Sequence, residues 1–327
     1  GLGAIKGTGQ SAIEAICEAR DQDGDFKSLY EFCARVDRSR INKRTVEALI
    51  KAGAFDGLWE NRSELLASVG LAFEFAQSQT DHSNQVGLFD TGDTHGSSKN
   101  EPDLAASPPW GIREKLTHEK SALGFHLSGH LFEETQIEVR QFVKTKLSEL
   151  SENKEPQWVA GIVRGERAIN TAKGKLYIFV LDDMSSSVEV TADEAVFMRH
   201  KSHIKEDQMV VAMVKVQLDR RNSGLRLSLV QAIDLTQARC LFGKYLQLSV
   251  AHEVPDFGAL VKLHPPKPES ITSTDIEIGL GIRLQMHRPH SAVEIQLGAK
   301  AVFYPSDAAL SMIASQAGVQ FSRIVYD

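Results

Sequence analysis

The sequence has 327 residues, of which 42% are hydrophobic and 24% charged, with a formal net charge of −6 at pH 7. This composition excludes a fibrous repeat, a chain that is disordered throughout and a uniformly basic nucleic-acid binder, and the length favours two or three domains. The sequence has no stretch of about 18 uncharged apolar residues, so no membrane-spanning helix is predicted. Its three scattered cysteines are too few for a disulfide framework, as a reducing cytoplasm would allow.

Residues 1–76 alternate helical hydrophobic spacing with glycine turns, which predicts a compact all-α unit. Its helices are expected at Ser11–Arg20, Asn42–Ala52 and Ser63–Ala76. A basic cluster lies within this unit, because residues 35–51 contain six cations and only two acidic residues. Such a run is usually a solvated helix face, but it also suits phosphate. The six cations are Arg35, Arg38, Arg40, Lys43, Arg44 and Lys51.

The first glycine turn, Lys6-Gly7-Thr8-Gly9, opens directly onto the helix predicted from Ser11. Free backbone amides at a helix start suit a phosphate oxygen. The turn resembles a helix-hairpin-helix motif, and a weaker second copy follows at residues 49–55. Tandem copies imply sequence-independent binding to the backbone of duplex DNA; the alternative is that both turns only pack helices together. The residues expected to contact duplex DNA are Lys6, Gly7, Thr8, Gly9, Arg38, Arg40, Lys43 and Arg44.

No metal site is expected. The run Asp21-Gln22-Asp23-Gly24-Asp25 resembles the start of a calcium loop, but phenylalanines stand where such a loop needs Gly and Glu. His126 and His130 lack the glutamate of a zinc-protease helix. Asp182-Asp183 ends a predicted strand, where the pair is expected to shape a hairpin.

Residues 77–109 are rich in small polar residues and carry five acidic residues against one lysine, which predicts a mobile connector. One apolar island, Gln85-Val86-Gly87-Leu88-Phe89, interrupts this connector. Leu88 and Phe89 cannot be buried locally, so the island is a candidate short linear motif. In such a motif Gln85 sets the register and the Leu-Phe pair anchors in a partner's groove.

The remaining chain divides into three stretches. Residues 110–154 return to helical spacing and predict a helical connector. Residues 155–235 hold five short β-rich runs, with one helical patch at Asp193–His203 after the third run, which is the order of an OB-fold barrel. Residues 240–327 predict a small mixed α/β domain, and the expected fold class is therefore multidomain α+β.

The elements expected in this last domain are two strands, a helix and a closing strand. They are placed near Ile276–Met286, Ala292–Phe303, Ser306–Ala317 and Val319–Asp327.

In the OB-like stretch, cations surround two aromatic residues, Tyr177 and Phe179. Aromatic residues interleaved with cations form stacking platforms for single-stranded nucleic acid, on which each stacked base contributes about 1–3 kcal/mol. Either ring is alternatively part of the core, because neighbouring residues on a strand face opposite ways. The residues expected to contact a single strand are Arg164, Arg167, Lys173, Tyr177, Phe179, Arg220 and Arg221.

Several of these stretches, in this order, resemble the C-terminal region of the bacterial replicative C-family DNA polymerases, the DNA polymerase III alpha subunit family. The resemblance covers essentially all 327 residues, and its stretches are highly specific together. They are residues 1–7 with Ala15-Ile16; residues 42–44 with 49–56; Glu119-Lys120, Leu123-Gly124 and Ser128-Gly129-His130; Leu181-Asp182-Asp183 with Val188-Glu189-Val190; and Pro305-Ser306-Asp307.

The resemblance implies a non-catalytic stretch of a DNA-directed DNA polymerase, a cytoplasmic nucleotidyltransferase. Residues 1–76 would grip duplex DNA, the Gln85, Leu88 and Phe89 motif would bind the sliding clamp, residues 155–235 would lie near single-stranded template, and residues 240–327 would bind the tau subunit of the clamp loader. The catalytic aspartates and their Mg²⁺ would belong to a palm domain outside these residues. This stretch is therefore expected to be inactive alone and to hold no cofactor, with the proofreading epsilon subunit binding elsewhere.

The sequence departs from the family pattern at Leu131, Ala172 and Ser186, where the family usually has Pro, Lys and Gly. The second and third departures bear on the DNA affinity of the OB-like domain more than on its fold. Two other interpretations stay open: a protein-interaction scaffold without DNA contact, and the equivalent region of an error-prone C-family polymerase.

Overall fold

The computed structural model describes residues 1–86, 101–172, 174–219, 224–251, 256–268, 277–288 and 291–326. The chain forms two compact units, Gly1–Leu131 and Phe132–Asp327, which we call unit 1 and unit 2. Within the described ranges, no helix combines the length and the apolarity needed to cross a membrane.

Unit 1 is all-helical, as predicted, and begins with a short 3₁₀ turn at Leu2–Ala4. Its core contains apolar residues from every helix, with Phe32 packed edge-on against Phe55. The apolar residues of the third helix, Val46, Leu49 and Ile50, are buried together because helical spacing places them on one face. The helices are α1 (Gln10–Asp23), α2 (Leu29–Arg35), α3 (Lys43–Lys51), α4 (Arg62–Val86) and α5 (Ile112–Leu123).

The ends of these helices follow local sequence signals. The side chains of Ser28 and Asn42 accept hydrogen bonds from the amides of Glu31 and Thr45, and so cap the starts of α2 and α3. After α3, Gly53 adopts a left-handed φ of 81°, which few residues other than glycine adopt readily.

The expected connector at residues 77–109 needs correction at both ends. Helix α4 continues to Val86 rather than ending at Ala76, because no Gly or Pro interrupts the chain between Gly70 and Gly87. On the other side, residues from Glu101 pack onto the helices of unit 1, where Tyr30 donates a hydrogen bond to the carbonyl of Asp103 and Leu104 packs on the core. Leu88 and Phe89 lie outside the described residues, as does the side chain of Gln85, whose backbone belongs to α4.

The expected helical connector at residues 110–154 is also divided differently, because the boundary between the two units falls after Leu131. Helix α5 packs into unit 1, and the next helix, α6 (Glu133–Val139), belongs to unit 2. The reason is that buried ion pairs hold these two helices to different neighbours: Glu119 of α5 binds Arg62, and Glu138 of α6 binds Arg239.

Unit 2 contains a closed five-stranded barrel with the strand order β1-β2-β3-β5-β4, the predicted OB-fold arrangement. Helix α7 lies between β3 and β4, where the sequence predicted it. Gly161 permits a close approach of β1 to β2, since a Cβ there would lie 2.9 Å from the Asp182 carbonyl oxygen. The barrel elements are β1 (Gln157–Thr171), β2 (Gly174–Asp182), β3 (Ser187–Asp193), α7 (Glu194–His200), β4 (Met209–Asp219) and β5 (Gly224–Ile233).

The remainder of unit 2, which we call the C-terminal subdomain, is the expected small mixed α/β domain. A four-stranded sheet of order β10-β9-β6-β11 has one face packed on α9 and α10, with Leu248, Leu284 and Phe303 at the centre of the core. Its elements, after helix α8 (Leu235–Phe242), are β6 (Gly243–Val250), α9 (Phe257–Leu263), β7 (Lys267–Pro268), β8 (Glu277–Ile278), β9 (Ile282–Arg288), β10 (Ser291–Gln296), α10 (Asp307–Ala314) and β11 (Val319–Tyr326). The predicted multidomain α+β fold class is confirmed.

Arg239 on α8 ties helix α6 to the C-terminal subdomain. Its side chain is 6% exposed, and its guanidinium group forms a two-point ion pair with Glu138 of α6, at 2.7 and 2.8 Å, and a second ion pair with Asp307. The Tyr326 hydroxyl also donates a hydrogen bond to Glu138. Burial alone lowers the pKa of Arg239, but these hydrogen bonds raise it overall, so the group stays charged.

Candidate nucleic-acid interface

The first glycine turn forms a closed hairpin ahead of α1. Gly7 has a φ of 89°, and the Thr8 hydroxyl lies within hydrogen-bond distance of the carbonyl oxygens of Leu2 and Ile5. Thr8 therefore holds the hairpin together instead of pointing to a ligand. Gly9 provides no side-chain cap for α1, and its carbonyl accepts from the amides of Ala12 and Ile13, which leaves the amides of Gln10 and Ser11 available to an external acceptor.

Beside this hairpin lies a basic groove with a volume of about 460 Å³. Lys6 and Gly7 line one side of it, and Arg44 and Lys51 of α3 line another, together with Asn42, Glu47 and Ser121. No carboxylate of the described residues lies within 4.0 Å of the Lys6, Arg44 or Lys51 cations. The structure thus brings the predicted hairpin and part of the predicted basic cluster to one surface, where their charges are not neutralised by ion pairs.

Two other predicted contacts are engaged elsewhere. Arg40 forms ion pairs with Glu14 at 3.1 Å and Glu18 at 2.7 Å on α1, and Arg38 donates to the Gln77 side chain. Lys43 is exposed at the start of α3 but does not line the groove. The groove also contains Asn42 and Ser121, which the sequence analysis did not single out; Ser121 is on α5, and no local pattern connects it to the hairpin.

The second glycine turn is closed by its own hydrogen bonds. The Gly53 amide donates to the Ile50 carbonyl and the Ala54 amide to the Leu49 carbonyl, which uses the groups that a phosphate would need. The Arg62 side chain lies against the turn, since a Cβ at Gly53 would be 2.3 Å from its Nη2 atom. In this second copy the amides of Gly53 and Ala54 are therefore engaged within the chain, and Arg62 packs against the turn.

Arg62 belongs to a buried ionic network in unit 1. It binds Asp56 and, at 2.9 Å, Glu119, which also accepts hydrogen bonds from the amides of Leu127 and Ser128. Burial alone would raise the pKa of Glu119, but the hydrogen bonds from Ser128, Leu127 and Arg62 hold it below its ordinary value. This network fixes α4, α5 and the following loop around the turn.

In the barrel, the expected stacking platform on Tyr177 and Phe179 is wrong. Tyr177 is 7% exposed and stacks on Phe197 with ring centroids 4.0 Å apart, and Phe179 is fully buried. The two residues are two positions apart on β2, so both side chains point to the same face, and that face is the barrel core.

The predicted barrel cations are only partly available. Arg164 pairs with Asp207 at 3.3 Å, and Arg167 pairs with Glu189 at 2.6 Å. Lys173, Arg220 and Arg221 lie outside the described residues. Three further cations are exposed, and no carboxylate within the described ranges lies within 4.0 Å of them: Lys175, Lys215 and Arg226.

Lys215 and Arg226 were missed by the sequence analysis. Strand alternation provides the signal, because Lys215 is flanked by the buried Val214 and Val216, and Arg226 precedes the buried Leu227. Both cations therefore lie on the outer face of adjacent strands β4 and β5.

Asp183 shapes the hairpin between β2 and β3, as predicted. Its carboxylate binds Arg140 and accepts the Leu147 amide, and it also accepts hydrogen bonds from Ser185 and Ser186. Burial alone would raise the pKa of Asp183, but these hydrogen bonds hold it below its ordinary value. Among the described residues, no group of three or more His, Cys, Asp or Glu side chains is arranged to hold a metal ion.

Comparison with known proteins agrees with the two nucleic-acid-binding folds. Residues 1–65 match the helix-hairpin-helix motif, and residues 157–232 match the OB-fold nucleic acid binding domain. DNA polymerase III subunit alpha of Escherichia coli O6:H1 is 28% identical over 336 residues, which cover 100% of this chain and 28% of that protein. The chain is similar to DNA polymerase III subunit alpha along its whole length.

Other alpha subunits give the same result. That of Neisseria meningitidis serogroup B is 38% identical and covers 80% of this chain, and that of Vibrio cholerae serotype O1 is 31% identical and covers 97%. The matched residues are 23% and 27% of those proteins, so this chain spans about a quarter of the length of its relatives. The resemblance inferred from the sequence motifs is confirmed, and the relatives are DNA polymerases.

Proposed function

We propose that this chain is a non-catalytic region of a DNA polymerase III alpha subunit that holds the polymerase on primed template DNA. Unit 1 binds the duplex, the barrel contacts single-stranded template, the segment with Gln85, Leu88 and Phe89 binds the sliding clamp, and the C-terminal subdomain binds the clamp-loader tau subunit. The polymerase reaction and its Mg²⁺ belong to another part of the parent protein, as does the epsilon subunit's binding site, and the complex works in the cytoplasm.

The observation that supports duplex binding is the basic groove of unit 1. Lys6, Arg44 and Lys51 surround the Gly7 hairpin without a carboxylate within ion-pair distance among the described residues. Cations that neutralise phosphates release counterions, and this term dominates binding that does not depend on base sequence. Three cations that line one groove beside a helix-hairpin-helix turn suit the phosphate backbone, which carries the same charge whatever the base sequence.

A salt titration of the full chain with primer-template DNA tests this assignment. We expect the triple variant Lys6→Gln, Arg44→Gln and Lys51→Gln to reduce the magnitude of the log-log salt slope by about 2–3, because each phosphate contact contributes about 0.9. Arg40→Gln is the matched control, since Arg40 is neutralised by α1 and should leave the slope unchanged. Equal slopes for the triple variant and the unmodified chain would remove the groove from the interface.

The scaffold interpretation has specific support in the barrel. Tyr177 and Phe179 are buried, and Arg164 and Arg167 are paired with carboxylates, so four predicted contacts are not free to bind DNA. A scaffold predicts no salt-dependent binding to primed template at all. The same titration therefore separates the two functions, because a flat response of the unmodified chain favours the scaffold.

The clamp assignment is tested with the purified sliding clamp. We expect Leu88→Ala with Phe89→Ala to lower clamp binding at least about tenfold, because the few residues that dominate an interface each contribute about 2 kcal/mol or more. Asp90→Ala with Thr91→Ala is the matched control in the same segment and should bind as the unmodified chain does. Equal affinity of both variants, measured by surface plasmon resonance, would contradict the assignment.

A further inference from the structure

The sheet of the C-terminal subdomain packs one face on α9 and α10, and on its opposite face Phe321 and Arg323 are exposed. Leu248 and Leu284 point to the helical side and are buried. Strand alternation and register place a different set of side chains on the opposite face, which we call the outer sheet face. Its central residues are Tyr245, Gln247, Arg283, Gln285, Phe321 and Arg323.

Two arginines on this face lie against aromatic rings. The Arg283 guanidinium carbon is 3.7 Å from the centroid of the Tyr245 ring, and its Nη1 atom donates a hydrogen bond to the Tyr245 hydroxyl at 2.9 Å. The Arg323 guanidinium carbon is 5.6 Å from the Phe321 ring, and Phe321 is 51% exposed. A half-exposed phenylalanine in a sheet whose other face already forms a core is not needed for that core.

The polar residues between the rings hold the arginines in place. The Arg323 Nε atom donates to Gln247, and Gln247 donates to Gln285 on the neighbouring strand. Arg283 is paired with Glu294 at 3.1 Å, whereas no carboxylate of the described residues lies within 4.0 Å of Arg323. The face is therefore positively charged around Phe321, and its flat groups are positioned before any ligand binds.

We propose that the outer sheet face binds single-stranded nucleic acid. One base stacks on the exposed Phe321 ring, a second stacks on the Arg283 guanidinium plane above Tyr245, and Arg323 contacts the phosphate between them. Unpaired bases present their faces to aromatic rings and guanidinium planes, whereas the bases of a duplex are already stacked on one another. The positive charge of Arg323 beside Phe321 complements a phosphate backbone.

This site is separate from the groove of unit 1 and from the barrel, so the proposal can fail while the proposed function stands. The test is photo-cross-linking of the full chain to a 4-thiothymidine oligonucleotide, with the cross-linked peptides identified by mass spectrometry. We expect cross-links in β6 and β11, at Tyr245 and Phe321. The variant Phe321→Ala with Arg323→Gln should lower the yield of the β6 and β11 cross-links at least about fivefold, since it removes one stacking ring and the cation beside it.

The matched control is Lys262→Gln with Leu263→Ala, which removes an exposed cation and an exposed apolar side chain from the helical side of the same subdomain. It should leave the β6 and β11 cross-links unchanged, and circular dichroism checks that both variants fold. Cross-links confined to unit 1 and the barrel would overturn this proposal and leave the proposed function intact. Cross-links in β6 and β11 that persist in the Phe321 and Arg323 variant would also overturn it.

Discussion

Arg62 is 4% exposed, and two carboxylates from different parts of unit 1 balance its charge. Glu119, its fully buried partner, receives backbone amides from Leu127 and Ser128 as well. A buried charge is tolerated only where it is paired and hydrogen-bonded, so each member of this network depends on the others. The network belongs to the folding of unit 1.

Removal of this buried charge should strongly destabilise unit 1. We expect Arg62→Met to cost about 3–5 kcal/mol of unfolding free energy, because it leaves Glu119 buried without its counter-charge. Urea unfolding followed by circular dichroism measures the change. Arg20→Met is the control, since it breaks the exposed Arg20–Asp21 pair and should leave the midpoint unchanged. Similar midpoints for both variants would show that the network does not stabilise the unit.

Among the site residues, those set by a local pattern were predictable and those set by contacts between helices were not. Lys6 and Gly7 were predictable, because the glycine spacing of a hairpin is local. The pairing of Arg40 with Glu14 and Glu18 was not, because these residues lie on a different helix and only the folded chain brings them together. Tyr177 likewise shows that alternation groups residues by face but does not tell which face is inside.

The turn between α3 and α4 requires glycine at position 53 for two reasons. Its φ of 81° is left-handed, and the space beside its Cα is occupied by the Arg62 guanidinium group. A side chain would be strained by the backbone and would also displace a buried charge. The turn and the ionic network therefore form one structural feature.

Two glycine-to-alanine substitutions test whether the turn requires Gly53. Gly53→Ala should destabilise unit 1 by more than about 1 kcal/mol, since even backbone incompatibility alone exceeds the usual entropic gain of such a change. Gly57→Ala is the control, because nothing lies within 4 Å of a Cβ at that position. Thermal unfolding of both variants is the measurement, and a Gly53 variant as stable as the Gly57 variant would contradict the clash.

The barrel elements and helices α1, α3 and α4 were predictable from hydrophobic spacing, whereas α2, α8, α9 and β6 were not. Strand β6 was not predicted, because it follows α8 directly at Gly243 with no loop to mark the change. The end of α4 was placed too early, because the predicted end followed the loss of apolar spacing rather than a helix-breaking residue. The barrel, by contrast, was predictable from the five β-rich runs and the helix between the third and fourth.

In the whole molecule, the stability of both units should decrease as the pH falls. The pKa values of Glu119 in unit 1 and Asp183 in unit 2 lie below the ordinary values of 4.5 and 3.8. A depressed folded-state pKa stabilises the fold fully above about pH 5, and this contribution is lost as the pH falls through the folded-state values. We expect midpoints of thermal unfolding to drop between about pH 5 and pH 3.

Glu119→Gln provides the control for this prediction, because an amide does not titrate. The transition of unit 1 in this variant should start lower at neutral pH and should depend less on pH than that of the unmodified chain. Unfolding midpoints that stay constant from about pH 5 to pH 3 would contradict the role of the buried carboxylates.

The joint around Arg239 has a mechanical consequence. Tyr326 on β11 and Asp307 at the start of α10 are both linked, directly or through Glu138, to a side chain on the helix that follows the barrel. A pull on β11 would therefore act on α6, whose following residue Arg140 binds Asp183 in the barrel hairpin. A protein that bound the C-terminal subdomain would therefore also reposition the barrel.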